Sequence, residues 1–146
     1  MGIDTNDGVA VILVDRGGRF LLQLRDEMEG IAWPGVWAIV GGAIEMGESA
    51  HDAMDREIEE EIGLRVERLH AMGSIPALWR TNGTLDLFCA GAGFAEESII
   101  VGEGQAIRFF APDEIEVLER TAPFLKPLVR GFMTGPLYER CRADAS

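Results

Sequence analysis

Gly42–Leu64 reads GAIEMGESAHDAMDREIEEEIGL, and this stretch governs the reading of everything around it. Four of its glutamates (Glu48, Glu57, Glu60, Glu61), its one arginine (Arg56) and two bracketing glycines stand at fixed spacings. Ser49, with Asp52 three places on, has the chemistry of an N-cap with an acidic partner, so a helix is predicted from Ala50 to about Ile62. Gly63 is the natural residue to end it in the left-handed conformation. At roughly 100° per residue, Glu57, Glu60 and Glu61 fall within about 100° of one another on one face. Met54, Ile58 and Ile62 form an adjoining apolar stripe, with Glu59 expected in solvent and Arg56 off to the other side. Three carboxylates so placed repel and destabilise a helix. Something positive is therefore expected among them, and oxygen-only ligands favour magnesium or manganese.

The stretch resembles the Nudix box: a glycine, five residues, a glutamate, seven residues, then Arg-Glu-aliphatic-any-Glu-Glu-any-Gly-aliphatic. Here those positions are Gly42, Glu48, Arg56, Glu57, Ile58, Glu60, Glu61, Gly63 and Leu64. With residue frequencies near roughly 7%, such a coincidence is expected on the order of once in 10^9 starting points. A solvated acidic helix, the ordinary reading of a charge run, explains neither the glycines nor the single arginine.

The resemblance implies an α/β/α sandwich, with a curved mixed sheet between helices. It also implies a divalent metal, Mg2+ with Mn2+ as the alternative, held by Glu57, Glu60, Glu61 and the main-chain carbonyl of Gly41. The Glu57 position serves as the base in some members. Arg56 and Glu48 are implied to be a structural pair supporting loop and helix, against a direct catalytic role for either. The implied reaction is hydrolysis of a phosphoanhydride bond in a nucleoside diphosphate linked to another group, with nucleoside triphosphates or nucleotide-sugars favoured. The alternative is a Nudix domain that binds a nucleotide metabolite as a sensor without cleaving it. Every implied ligand position is filled, which favours the enzyme. Family members are often homodimers, so a homodimer is an open expectation.

Outward from the box, the chain reads as alternating strands and helices. Gly8–Val14 is apolar and β-branched, Asp15-Arg16-Gly17-Gly18 is turn chemistry, and Arg19–Leu24 follows as a paired strand. A loop from Arg25 to Gly35 leads to a short strand, Trp37–Val40. After the acidic helix come strands over Arg65–Ser74, Ala77–Arg80 and Leu85–Ala90, the last two joined at Asn82-Gly83. Ala106–Phe110 is a final strand, and Pro112 opens a helix to about Arg120. A last helix is expected over Pro123–Met133, with Arg140–Ser146 frayed. The pattern alone gives an α/β or α+β class with a mixed sheet.

At 146 residues, 47% hydrophobic and 26% charged, the chain makes one domain, residues 1–146, with an ordinary globular balance. No stretch is long enough for a membrane span, and MGIDTNDG has no secretory signal pattern. Cys89 and Cys141 give neither a disulfide framework nor a zinc spacing, and the chain reads as cytoplasmic. A net charge of −12 argues against nucleic-acid binding. It is compatible with a small nucleotide substrate, provided metal ions bridge the polyphosphate and the carboxylates.

Several residues outside the box are candidates. Glu103-Gly104-Gln105, before the last strand, is similar to a Glu-Gly-Gln of MutT-like enzymes in which the glutamate is a metal ligand or general base. Arg25 stands where similar enzymes use an arginine on substrate phosphate. Trp33 and Trp79 could stack on a base, whereas Trp37 reads as core. Glu96 and Glu97 read as ordinary loop acids. His51 and His70 have no aspartate or cysteine at a convincing metal spacing. Val40 replaces a proline common before the paired glycines. Leu125 takes the place of an asparagine with which some MutT enzymes read oxidised guanine, and leucine cannot form those hydrogen bonds.

Overall fold

Gly8–Val14 has no polar side chain because it is the spine of the sheet, buried on both faces along its whole length. The computed structural model describes residues 7–25, 35–76, 83–102 and 106–145. Among the described residues one mixed sheet contains β1 (Gly8–Val14), β2 (Phe20–Leu24), β3 (Trp37–Ala38), β4 (Val40–Ala43), β5 (His70–Pro76), β6 (Thr84–Gly91) and β7 (Ala106–Phe110). The helices are α1 (Ala50–Ile62), α2 (Pro112–Glu116), α3 (Leu125–Met133) and α4 (Pro136–Asp144). β6 runs parallel to β1 in the register Gly8↔Leu85 to Val14↔Gly91. On the other side of β1, β4 pairs antiparallel from Gly8↔Ala43 to Val11↔Val40, and β2 joins only at Val14↔Phe20. β2 lies between β3 and β7, and β5 closes the far edge against β6.

Period-2 alternation divides the apolar residues into two cores. Val9, Val11, Leu13 and Leu21 meet Ala53, Met54, Ile58 and Ile62 of α1. Ala10, Ile12, Val14, Phe20 and Leu22 meet Leu125, Val129, Phe132 and Cys141 of α3 and α4. The result is the α/β/α sandwich, with α1 on one face of the sheet and α3 and α4 on the other. No described helix is long and apolar enough to cross a membrane.

Four elements differ from the sequence reading, each for a physical reason. The expected strand Trp37–Val40 is two strands, and the second continues through Gly41-Gly42. A Cβ on Gly41 would run into the carbonyl oxygen of Val9, so glycine permits this close pairing with β1. Arg65–Leu69 lies outside β5, because its apolar residues Val66 and Leu69, with Leu64 before them, pack on the α1 core rather than join a ladder. α2 ends at Glu116 instead of near Arg120. The chain leaves it to bridge β3, where Trp37 N donates to Arg120 O (2.8 Å) and Ala122 N donates to Trp37 O (2.9 Å).

The expected frayed terminus is α4. Pro136 opens it, Cys141 is fully buried, and Tyr138 stacks on Phe20 with ring centroids 5.7 Å apart while donating its hydroxyl to Gly18 O at 3.0 Å. Both cysteines are free and buried. The expected strand Ala77–Arg80 and residues Thr81 and Asn82 of its turn lie outside the described residues. The flanking strands do pair antiparallel, at Pro76↔Thr84.

Gly131, in α3, gives a direct test of this helix. A Cβ there would meet nothing within 4 Å. Gly131→Ala is expected to raise stability by about 0.5–1 kcal/mol through the unfolded state, or about 2–4 °C in Tm. A calorimetric scan that shows a lower Tm would contradict the helical placement.

Candidate functional site: the acidic face of α1

α1 begins and ends where its capping chemistry dictates. Ser49 Oγ accepts from Asp52 N at 3.1 Å, and Gly63, at φ 71°, donates its N–H to Glu59 O at 2.9 Å. Between these caps Met54, Ile58 and Ile62 are buried against the sheet and Glu59 is exposed. The three glutamates next to that stripe are not equivalent. Glu61 is 2% exposed and Glu57 9%, whereas the Glu60 side chain is half exposed. Two buried carboxylates on one helix are costly unless they are compensated.

Arg56 supplies much of that compensation, and it does not point to the other side of the helix. Its Nη1 donates to Glu57 Oε2 and Glu60 Oε2, both at 2.9 Å. The i,i+4 spacing makes Arg56 and Glu60 neighbours on the helix surface. Nε and Nη2 of the same guanidinium grip both oxygens of Glu48, at 2.7 and 2.9 Å, and Nη2 also donates to Ala43 O at 2.9 Å. Glu48 Oε1 in turn accepts from Glu45 N at 2.8 Å. This fork ties the end of β4 and the following loop to the helix. The Arg56 hydrogen bonds, followed by that of the Glu45 N–H, hold the Glu48 carboxyl down at about 2. The guanidinium pKa is raised above its usual value, chiefly by Glu48.

The glycine strand β4 forms the other wall. A Cβ on Gly42 would occupy the space taken by the Glu57 carboxylate. Gly41 pairs with Ala10 in the ladder, one residue from that contact. β2 contributes a residue with no motif to announce it: Gln23, 4% exposed, donates its side-chain amide to Glu61 Oε2. Leu21 and Gln23 share the α1 face by alternation, but glutamine among apolar neighbours reads from sequence as strand filler. At the end of β2, Arg25 is half-buried; its backbone N–H donates to Val36 O at 2.9 Å and its carbonyl accepts from Gly35 N at 3.2 Å. Glu103, Trp33 and Trp79 lie outside the described residues.

Other candidates have structural roles. Glu96 Oε1 accepts from Phe109 N at 2.8 Å, which anchors the loop to β7. Trp37 is half-buried, with its ring edge-to-face on Phe110 and Arg108 over it. Leu125 is fully buried in the α3 core. Both histidines have aspartate partners that sequence spacing did not suggest. His70 Nε2 lies 2.8 Å from Asp144 Oδ2, a contact between β5 and α4. His51 Nδ1 lies 3.3 Å from Asp55 Oδ2, and with Asp52 these donors all fall within 4.8 Å of one another on the outer surface of α1.

Comparison with known proteins agrees with this architecture. The MutT protein from Methanosarcina mazei Go1 superposes with a TM-score of 0.74 at 19% identity, covering 88% of this chain and 92% of that one. The NUDIX domain of Shewanella oneidensis NrtR, solved with ADP ribose, superposes with a TM-score of 0.70 at 14% identity, over 88% and 86% of the two chains. Likeness at such identities shows the fold alone. A nucleoside triphosphatase NudI from Enterobacter sp. (strain 638) is 40% identical over 55 residues, which is 38% of this chain and 38% of that protein. The aligned segment thus spans well under half of that relative. The NUDIX domain model matches residues 4–132. The chain belongs to the NUDIX family.

Proposed function

We propose that this chain hydrolyses a phosphoanhydride bond in a nucleoside diphosphate linked to another group, with Mg2+ as the metal and Mn2+ as its alternative. The observation that carries the reading is the acidic face of α1. Glu57 and Glu61, both nearly dry, and Glu60 at the surface are oxygen donors carried by one helix, with the Glu57 carboxylate packed against Gly42 of the glycine strand. A fold retains such anions at a cost in stability, and hard divalent cations are their natural partner. Glu57, Glu60, Glu61 and the main-chain carbonyl of Gly41 would hold the ion. When bound, it supplies charge neutralisation for phosphate oxygens and lowers the pKa of a coordinated water.

The chain's own residues do the rest. Glu57, which lies beside Gly42 and accepts from Arg56, would take the proton of the attacking water, with Glu103 as the other candidate for that role. Arg25 meets phosphate charge from the end of β2. Trp33 and Trp79 offer flat faces for a base. Arg56 and Glu48 touch no substrate in this scheme and keep Glu57 and the loop in place. The stretch of identity to a nucleoside triphosphatase supports nucleoside triphosphates as the first substrates to test, with nucleotide-sugars beside them.

The test is phosphate and pyrophosphate release from a panel of nucleoside triphosphates, nucleotide-sugars, ADP-ribose and dinucleotides, with and without Mg2+. Metal-dependent turnover of one class is expected. No turnover across the panel, with one ligand still raising Tm, would replace the enzyme with a nucleotide-binding sensor.

A further inference from the structure

We infer that Gln23 is a positioning residue for Glu61, fixing the direction in which that carboxylate faces a divalent ion. The inference rests on the metal reading of α1 given above. β2 is buried from Phe20 through Gln23, and its alternation turns Gln23 to the same side as Leu21, into the apolar core beneath α1. An amide in such a place is costly unless it is hydrogen-bonded. Its Nε2 donates to Glu61 Oε2, joining two residues 38 apart in sequence.

The donor sits on a rigid support. Gln23 pairs with Ala38 of β3 on one side and Ile107 of β7 on the other, so β2 is held from both edges at this residue. The acceptor is fixed as well, because Glu61 O receives the N–H of Gly102 at 2.9 Å. Backbone and side chain of Glu61 are therefore both constrained, the arrangement a preorganised ligand requires.

The chemistry of the donor also matters. Glu57 and Glu60 share a guanidinium, which cancels charge as it orients. The Gln23 amide orients Glu61 without itself adding a positive charge beside it. Partners of this kind commonly change metal affinity about 10–100-fold when removed.

The experiment titrates Mn2+ alone into the protein, with free Mn2+ read by its electron paramagnetic resonance signal. Gln23→Met keeps the length and apolar bulk but has no donor; Gln23→Asn keeps the amide but draws it back by one methylene. Metal-free Tm is recorded for each, so that a variant that does not fold is replaced by the other. Both are expected to bind Mn2+ at least about tenfold more weakly than the parent chain. In the Glu61→Gln background, Gln23→Met is expected to add no further loss, because its effect passes through Glu61. Unchanged Mn2+ affinity in a folded Gln23 variant, or a full additional loss in the Glu61→Gln background, would overturn the positioning role while leaving the metal site intact. A parent chain that binds no Mn2+ would instead overturn the metal reading itself, and this inference with it.

Discussion

Glu61→Gln is expected to lower metal-dependent turnover by about a thousandfold or more, equivalent to about 4 kcal/mol of transition-state stabilisation, while leaving the fold intact. The two outcomes separate because the substitution is isosteric but removes a charge. Glu61 is 2% exposed, and an uncharged amide in that environment is easier to bury than a carboxylate. Its side-chain oxygen can still accept the hydrogen bond from Gln23. Metal-free Tm is accordingly expected to be equal to that of the parent or above it. Glu60→Gln is expected to lose turnover as well. Its stability should change little, since a half-exposed carboxylate paired with Arg56 contributes roughly 0–1 kcal/mol. Rates measured against Mg2+ concentration, together with thermal melts, check both variants. Full activity in either would remove it from the ligand set.

The sequence reading succeeds where the determining chemistry is local. α1 begins after Ser49 and ends before Gly63 in the structure because an N-cap side chain and a left-handed glycine act within one turn. β1 and β7 were legible to the residue for a related reason, since an uninterrupted apolar run or a clear alternation between turn residues leaves few choices of register. Errors arise where a distant partner decides. α2 is cut short by the bridge to Trp37, and α4 is ordered by Phe20 and Gly18, more than a hundred residues earlier. Within the site, the glutamates of α1 carry a spacing that can be read, whereas Gln23 has none. Its significance comes from lying opposite Glu61 across the sheet–helix interface. The inward reach of Arg56 was in principle readable, because position i+4 from an arginine is its neighbour and Glu60 occupies it.

Arg56→Lys is expected to separate the support of the site from its charge. Lysine keeps the positive charge but concentrates its donors on one nitrogen. Arg56 uses three nitrogens at once: Nε and Nη2 on Glu48, Nη2 on Ala43 O, and Nη1 on Glu57 and Glu60. One ammonium cannot span those partners, so the substitution is not conservative here. The loosened contacts to Glu57 and Ala43 O are partly buried, and their loss is expected to cost about 2–3 kcal/mol, or about 5–10 °C in Tm. Displacement of Glu57 by about 1 Å is expected to lower turnover on the order of a hundredfold, with the metal-ligand carboxylates all still present. The acid limb of the stability curve gives an independent reading of the same pair. Glu48 titrates at about 2 in the folded chain against an ordinary 4.5, so the unfolded chain takes up the proton first as pH falls. The stabilisation from this group is complete above about 4.5 and is lost progressively between there and about 2. Arg56→Lys weakens the bond that depresses the Glu48 carboxyl, so its stability should fall less across that window. The Tm difference between the two proteins is therefore expected to be largest near neutral pH and to narrow below pH 4.5. A difference that stayed constant down to pH 2.5 would show that the fork between Arg56 and Glu48 contributes no stability of its own, and the loss of activity would then need another cause.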